Sequence, residues 1–257
     1  MQQRVLEGKI AIVTGAASPR GLGRAMTEAL VKAGARVSMM DINQQWLDET
    51  SNYMREIGGD DCVMTQIVDV SSIGDVERSI ERTIEELGGL QILVNNAGIQ
   101  PVEPFDALTA AAWDEVLTVD LRATQVLTAA AATFMHDGGA VVNIAPIEAH
   151  QPAAGHAHYA AAKAGLVMAT RAAALELGPS GIRINSVSPG LIDDGRLAER
   201  WPEGVDRWLA AAPLGRLGTP EDVADAVSAM ASLAFKSTVP AAVILSQRLI
   251  GAKSFQD

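Results

Sequence analysis

The sequence predicts an α/β fold, a doubly wound parallel sheet of about seven strands flanked by helices on both faces, and three observations lead there. Short runs rich in β-branched residues alternate with longer helical patterns along the chain. The strand runs are apolar almost without interruption, as strands buried on both faces must be. A glycine-rich loop joins the first strand to the first helix.

In chain order, Lys9–Thr14 reads as the first strand and Arg24–Ala33 as the first helix. Arg36–Met40 is the second strand, followed by a polar helical stretch over Asn43–Ile57. Cys62–Val68, Gln91–Asn95, Ala140–Ala145 and Ile182–Val187 are further strands, with Ala242–Leu245 a candidate last one. Helical patterns fill Ser72–Leu87, Ala110–His136, Ala157–Leu177 and Glu221–Leu233. The last opens with Thr219-Pro220-Glu221-Asp222, a capping hydroxyl, a proline at the first helical position and acids in the first turn. No Pro/Gly/Ser-rich linker and no internal repeat divides residues 1–257, so a single domain is expected.

Composition narrows the function classes. Twenty Lys and Arg against 31 Asp and Glu give a net charge of −11, which argues against nucleic acid as a partner. A dinucleotide escapes that argument, because backbone amides can hold its two phosphates. The lone Cys62 excludes an intrachain disulfide and a multi-cysteine zinc site. In the run Cys-Val-Met-Thr-Gln-Ile-Val it reads as a buried strand thiol. The N-terminus lacks the apolar core of a signal peptide, and no stretch approaches the ~20 apolar residues of a membrane span. A cytoplasmic protein without membrane contact is expected.

The loop Thr14-Gly15-Ala16-Ala17-Ser18-Pro19-Arg20-Gly21-Leu22-Gly23 carries the first functional signal. A dinucleotide site needs one glycine for the tight turn, one for backbone approach to the pyrophosphate and one for close helix–strand packing. Asp41 ends the second strand 18 residues beyond Gly23, where an acid can accept hydrogen bonds from the adenosine ribose. A carboxylate there repels a 2′-phosphate and favours NAD over NADP; Arg20, inside the loop, pulls the other way. Asp41 also suits a helix N-cap before Ile42-Asn43.

Further along, Asn95-Asn96-Ala97-Gly98, Tyr159-Ala160-Ala161-Ala162-Lys163 and Ser188-Pro189-Gly190 follow in order. Together with the glycine loop, these motifs make the chain resemble the short-chain dehydrogenase/reductase family over roughly residues 5–235. The resemblance implies a Rossmann-like sheet, a nicotinamide cofactor, and oxidation of alcohols or reduction of carbonyls. It implies that Gly15, Arg20, Gly21, Leu22 and Gly23 cradle the phosphates and that Asp69 and Val70 contact the adenine. Asn95, Ala97 and Gly98 would line the riboses, while Pro189, Gly190 and Ile192 would wall the nicotinamide. Tyr159 and Lys163, four apart on a helix, share one face, and an ammonium near a phenol lowers its pKa. Such a tyrosine can exchange a proton with an alcohol or carbonyl oxygen as hydride moves. The lysine can also hold the nicotinamide ribose.

The chain departs from the family pattern at several positions. Two extra residues separate Gly15 from Gly21, with Pro19 stiffening the enlarged loop. The catalytic serine of the family falls thirteen residues before the tyrosine, at Pro146 in Asn143-Ile144-Ala145-Pro146-Ile147-Glu148. Proline has no side-chain donor. The helix-4 asparagine of the family corresponds to Asp120, an acid able to accept hydrogen bonds at the catalytic centre, and the threonine after the proline-glycine turn becomes Asp194. His150, His156 and His158 cluster with Glu148 just before Tyr159. They read either as substrate-loop and surface residues or as a replacement donor or base. No metal site is expected from them. The family turn that supports tetramer contacts is absent from Val243-Ile244-Leu245-Ser246-Gln247-Arg248, while the helices over 110–136 and 157–177 offer a dimer seam.

Two functions follow. The first is an NAD-dependent oxidoreductase interconverting a secondary alcohol and a ketone, with Tyr159, Lys163 and Asp120 in the catalytic roles. The second is a catalytically impaired dinucleotide-binding sensor or partner subunit, motivated by the joint change at Pro146 and Asp120. Substrate specificity is expected in Gln100–Phe105, Glu148–His158 and a lid around 191–213.

Overall fold

The structure, a computed structural model, describes residues 4–136 and 138–232 together with the backbone of 242–245. Six strands carry the sheet: β1 (Ile10–Thr14), β2 (Arg36–Asp41), β3 (Val63–Ile67), β4 (Ile92–Asn95), β5 (Gly139–Ile144) and β6 (Ile182–Pro189). The backbone of β7 (Ala242–Leu245) pairs beside β6, giving the order β3-β2-β1-β4-β5-β6-β7, parallel throughout. Ser246–Arg248, where the sequence departs from the family turn, lies outside the described residues.

Successive side chains of a strand point to opposite faces, and the core divides accordingly. Ala11, Val13, Ile92, Val94, Val142 and Ile144 face one layer, packed with α1 (Leu22–Lys32), α2 (Gln44–Gly58) and, later in the chain, the helix over 220–231. Ile12, Leu93, Val141 and Ile184 face the other, beneath α3 (Ile73–Leu87) and the helices over 123–132 and 157–177. Because both faces are covered, the strands read as continuous apolar runs instead of alternating ones. Cys62 is buried but precedes β3, in a single 3₁₀ turn where its Sγ lies 3.3 Å from the Met54 carbonyl oxygen.

Several helix starts follow capping chemistry. Asn43 accepts from the Trp46 amide at 3.0 Å and caps α2, so Asp41 is not the N-cap. Its carboxylate serves the glycine loop instead. Ser72 caps α3, and Thr219 forms a reciprocal capping box with Asp222.

The helix predicted without interruption over Ala110–His136 is broken. α4 (Ala110–Leu117) passes into a five-residue π turn, Thr118–Arg122, and α5 (Ala123–Ala132) ends four residues before His136. Such a turn widens the helical ring by one residue, a feature common at functional sites. Here it holds Asp120, which is wholly buried. The helix over Ala157–Leu177, α6, has the predicted bounds.

The segment 191–213, read as a loop, contains α7 (Leu197–Arg200) and α8 (Pro202–Ala211), with α9 (Pro220–Ala231) following. Its base is fastened: the Asp193 amide donates to Gly218 O at 2.9 Å and the Gly218 amide to Leu191 O at 3.0 Å. Both helices are too short for periodicity to reveal them. No described helix is long and apolar enough to cross a membrane.

Candidate active site

The predicted site residues gather at the carboxyl ends of the strands, where the order reverses on either side of β1. Ligands of open parallel sheets bind in the crevice at such a reversal. Thr14 and Asn96 staple its two walls. Thr14 Oγ1 accepts from the Asn96 and Ala97 amides at 3.0 and 3.1 Å, and Asn96 Nδ2 donates to the Thr14 and Gly15 carbonyl oxygens. Gly15 has φ +62°, and a Cβ there would meet Ala97 Cα at 3.0 Å. A Cβ on Gly23 would run into the Gly15 carbonyl.

The two extra loop residues have a simple accommodation. Ser18-Pro19-Arg20-Gly21 closes a turn, the Gly21 amide donating to Ser18 O at 2.9 Å, with proline at its second position. The enlargement is folded outward as this turn, and α1 still begins at Leu22. That helix has no side-chain cap and no acid in its first turn. Its N-terminal amides thus suit an anion, so the loop fits a pyrophosphate.

Asp41 is fixed beside the loop. Its Oδ2 accepts from the Ala17 amide at 3.0 Å and its Oδ1 from the Asn43 amide at 3.1 Å. Each oxygen retains a lone pair for a ribose hydroxyl. Arg20 is exposed at the tip of the turn. Gly23→Ala is expected to cost about 1–3 kcal/mol through overpacking and to lower the melting temperature by at least 2 °C. It should also weaken NADH binding, because relief of the clash displaces the cradle; calorimetric titration and thermal melts check both.

Asp69 and Val70 lie just beyond β3, the Asp69 carboxylate accepting from the Ser71 amide at 2.8 Å. Ala97 and Gly98 follow β4, the first against Gly15 and the second against Asp120. Asn95 ends β4. Its side chain turns into the core, where Nδ2 donates to Asn143 Oδ1 at 2.9 Å and Thr128 Oγ1 at 3.2 Å. Its side chain is thus held in the core, which leaves its backbone to line a ribose, and the side-chain amide that faces the loop belongs to its neighbour Asn96. Strand parity holds the reason: Asn95 pairs in register with Asn143, whose side chain continues the buried chain to Thr170. Pro189 ends β6, and Gly190 and Ile192 follow at the fastened base of the 191–213 segment.

Tyr159 and Lys163 share the buried face of α6, the ammonium 5.6 Å from the centre of the phenol ring. The expected electrostatics are corrected. Lys163 Nζ lies 3.0 Å from Asp120 Oδ1, an ion pair with side chains 4% and 0% exposed, while Asp120 Oδ2 accepts from the Ile99 amide at 3.2 Å. Burial, aided by the Asp120 and Glu148 carboxylates, pushes the Tyr159 phenol well above its ordinary value. Burial likewise raises the Asp120 carboxyl, against the attraction of Lys163. A Cβ on Gly98 would collide with Asp120 Oδ1, so only glycine lets the β4 loop close over this pair.

Pro146 initiates a 3₁₀ turn, Ile147–Ala149, beside the N-terminus of α6. The three histidines around it part company. His150 Nε2 lies 3.0 Å from Ser188 Oγ, and burial lowers its pKa. His158 is wholly buried, edge-on to Trp113 at 6.1 Å. His156 alone of the three meets Tyr159, ring to ring at 6.3 Å, with Glu148 2.8 Å from its Nδ1. Among the described residues no group of three His, Cys, Asp or Glu side chains has an arrangement that could hold a metal ion.

A Rossmann-type sheet with a glycine cradle and a buried Tyr–Lys–Asp cluster defines a dinucleotide-dependent oxidoreductase class. A family model described as Enoyl-(Acyl carrier protein) reductase matches residues 15–244. An uncharacterized oxidoreductase of Mycobacterium bovis is 38% identical over 89% of this chain and 91% of its own length. Cis-4-hydroxycyclohexanecarboxylate dehydrogenase of Sinomonas cyclohexanicum is 37% identical over 87% and 89%. The crystal structure of a short chain dehydrogenase from Mycobacterium smegmatis superimposes with a TM-score of 0.83, at 32% identity, covering 96% of this chain and 95% of that one. The chain belongs to the short-chain dehydrogenase/reductase family.

Proposed function

We propose that the protein is an NAD(H)-preferring oxidoreductase interconverting a secondary alcohol and a ketone, with Tyr159 as the proton-exchanging group. The observation that carries this reading is the convergence of Tyr159, Lys163 and Asp120 beneath Gly98, beside a glycine cradle suited to a dinucleotide. The nicotinamide, when bound, supplies or accepts the hydride. The chain supplies everything else. Gly15, Gly21, Leu22 and Gly23 would hold the phosphates, Asp41 the adenosine ribose, and Asp69 and Val70 the adenine. Lys163 would reach the nicotinamide ribose, and Pro189, Gly190 and Ile192 would wall its ring.

The proton inventory fits the reducing direction. A phenol held above its ordinary value keeps its proton at neutral pH, so Tyr159 Oη carries the proton that a carbonyl oxygen takes up on reduction. The Asp120–Lys163 pair positions that phenol and keeps the charge beside it fixed.

The domain and assembly readings belong to the same proposal. One cytoplasmic domain works with α7 and α8 as its substrate lid, and α5 and α6 form the seam of a homodimer. On α6, Met168 and Leu175 are 60% and 81% exposed, beside a shallow alanine-lined cavity of about 540 Å³.

Calorimetric titration with NADH and NADPH, followed by a carbonyl panel read at the nicotinamide absorbance, tests the function. Tight NADH binding with turnover supports it; binding without turnover on any carbonyl would favour the sensor reading. Cofactor choice has its own test. Asp41→Asn removes a charged acceptor worth about 1.5–3 kcal/mol, so NADH affinity should fall about 10–100-fold while NADPH loses far less. An unchanged NADH:NADPH ratio would remove Asp41 from that role.

A further inference from the structure

With Pro146 where the family has its serine, a substrate oxygen facing Tyr159 lacks a second hydrogen-bond donor from that turn. We infer that His156, oriented by Glu148, is that second donor and touches the reacting oxygen through Nε2. The inference rests on the carbonyl-reducing reading above and adds to it a residue that the family motifs do not contain.

Elimination and geometry both select His156. His150 is engaged with Ser188, and His158 is sealed beneath Trp113 with no exposed surface. His156 stands at the entrance to α6, one helical turn from Tyr159 on the same face, its side chain 16% exposed. Its Nδ1 lies 2.8 Å from Glu148 Oε2. The carboxylate and Gln100 Nε2, 3.3 Å away, occupy the Nδ1 side of the ring, so Nε2 is the nitrogen left to face a ligand. Gln100 Nε2, from the loop after β4, donates to Glu148 Oε1 at 2.8 Å and holds the carboxylate from its other side. The result is a carboxylate–imidazole dyad, Glu148 from the 3₁₀ turn that follows Pro146 and His156 from the start of α6.

The balance is simple. In the reducing direction hydride adds to the carbonyl carbon from the reduced nicotinamide cofactor, and the C=O π pair moves to oxygen. That oxygen takes the proton of Tyr159, which is replaced from water on product release. His156 donates a hydrogen bond from Nε2 to the same oxygen and keeps its proton. The groups facing the ring are Glu148 on the 3₁₀ turn and Tyr159 on α6, with Asp120 and Lys163 behind the phenol. The Val102–Glu103 segment closes over neighbouring Gly155, the Glu103 amide donating to its carbonyl, and His150 ends the turn with its Nε2 at Ser188 Oγ. Glu148 is the carboxylate that the ring touches.

The test uses His156→Ala, His156→Gln and Glu148→Gln, with 4-oxocyclohexanecarboxylate and acetoacetyl-CoA as carbonyl probes and NADH as reductant. His156→Ala should lower kcat about 10²–10³-fold, the value of one oxyanion donor, with NADH affinity unchanged by calorimetry. His156→Gln, which keeps a neutral donor, should restore part of the rate. Glu148→Gln, which weakens the hold on the ring, should lower kcat in the same direction while NADH affinity and the KM for the carbonyl stay near wild type. A wild-type rate in both His156 variants would overturn the inference. Loss of the rate in Tyr159→Phe alongside that result would leave the tyrosine mechanism standing and remove only His156. A wild-type rate in Tyr159→Phe would instead sink the carbonyl-reducing reading.

Discussion

Replacing Tyr159 by Phe lowers carbonyl reduction by about 10²–10⁴-fold, the usual contribution of a positioned acid, and leaves NADH affinity unchanged. The ring stays in its apolar seat among Val116, Ala162 and the partly buried Ile99, Leu117 and Leu121, so packing and cofactor site survive. What is lost is one proton at Oη. The size of the effect follows from the absence of a hydroxyl at Pro146, which leaves Tyr159 as the one hydroxyl in the sequence from Pro146 to Lys163. Stopped-flow reduction with saturating NADH, alongside calorimetry, separates chemistry from binding. An unchanged rate would mean that the protein binds a dinucleotide without using this face of α6.

The profile of the wild-type enzyme carries the same physics. Because burial and two carboxylates hold the phenol protonated, its acid form persists through neutrality. Alcohol oxidation needs the phenolate and should rise with alkaline pH.

The sheet was legible in the sequence because parallel strands buried on both faces are continuous apolar runs, and each predicted strand overlaps an observed one. β6 extended further, through Ser188 and Pro189, because a proline at the end of a strand pairs through its carbonyl. The site was legible where backbone demands a residue type. Gly15, with its left-handed φ, and Gly23, with no room for a Cβ, could be read from spacing alone. Partnerships between distant side chains were not. Adjacent Asn95 and Asn96 differ only in which way the strand end points each one. Lys163 sits four residues from Tyr159 in sequence, yet its charge is committed to Asp120, 43 positions away and displaced inward by a π turn that no periodicity marks. The histidine cluster could be seen but not sorted, since three imidazoles within nine residues have three different environments.

The second large effect concerns that buried ion pair. Lys163→Met should destabilise the fold by about 3–5 kcal/mol at neutral pH, measured by urea unfolding, because it strands the Asp120 carboxylate without a counter-charge. The Ile99 amide is its one remaining described donor. Burial already holds the Asp120 carboxyl above its ordinary value with Lys163 present; without the ammonium it climbs further. A carboxyl whose folded pKa is raised binds a proton that the unfolded chain releases. Its stabilising contribution is full below the unfolded pKa and is lost as pH rises through the folded one. The deficit of Lys163→Met should therefore shrink on acidification toward the carboxylate range and be greatest above the folded value. Adding Asp120→Asn removes the stranded charge while keeping an acceptor for the Ile99 amide, so the double variant should recover most of the lost stability and none of the activity. Losses that simply add, within about 0.5 kcal/mol, would show two independent side chains and no pair. Recovery of stability without recovery of turnover would separate what the pair does for the fold from what its positive end does for Tyr159 and the nicotinamide ribose.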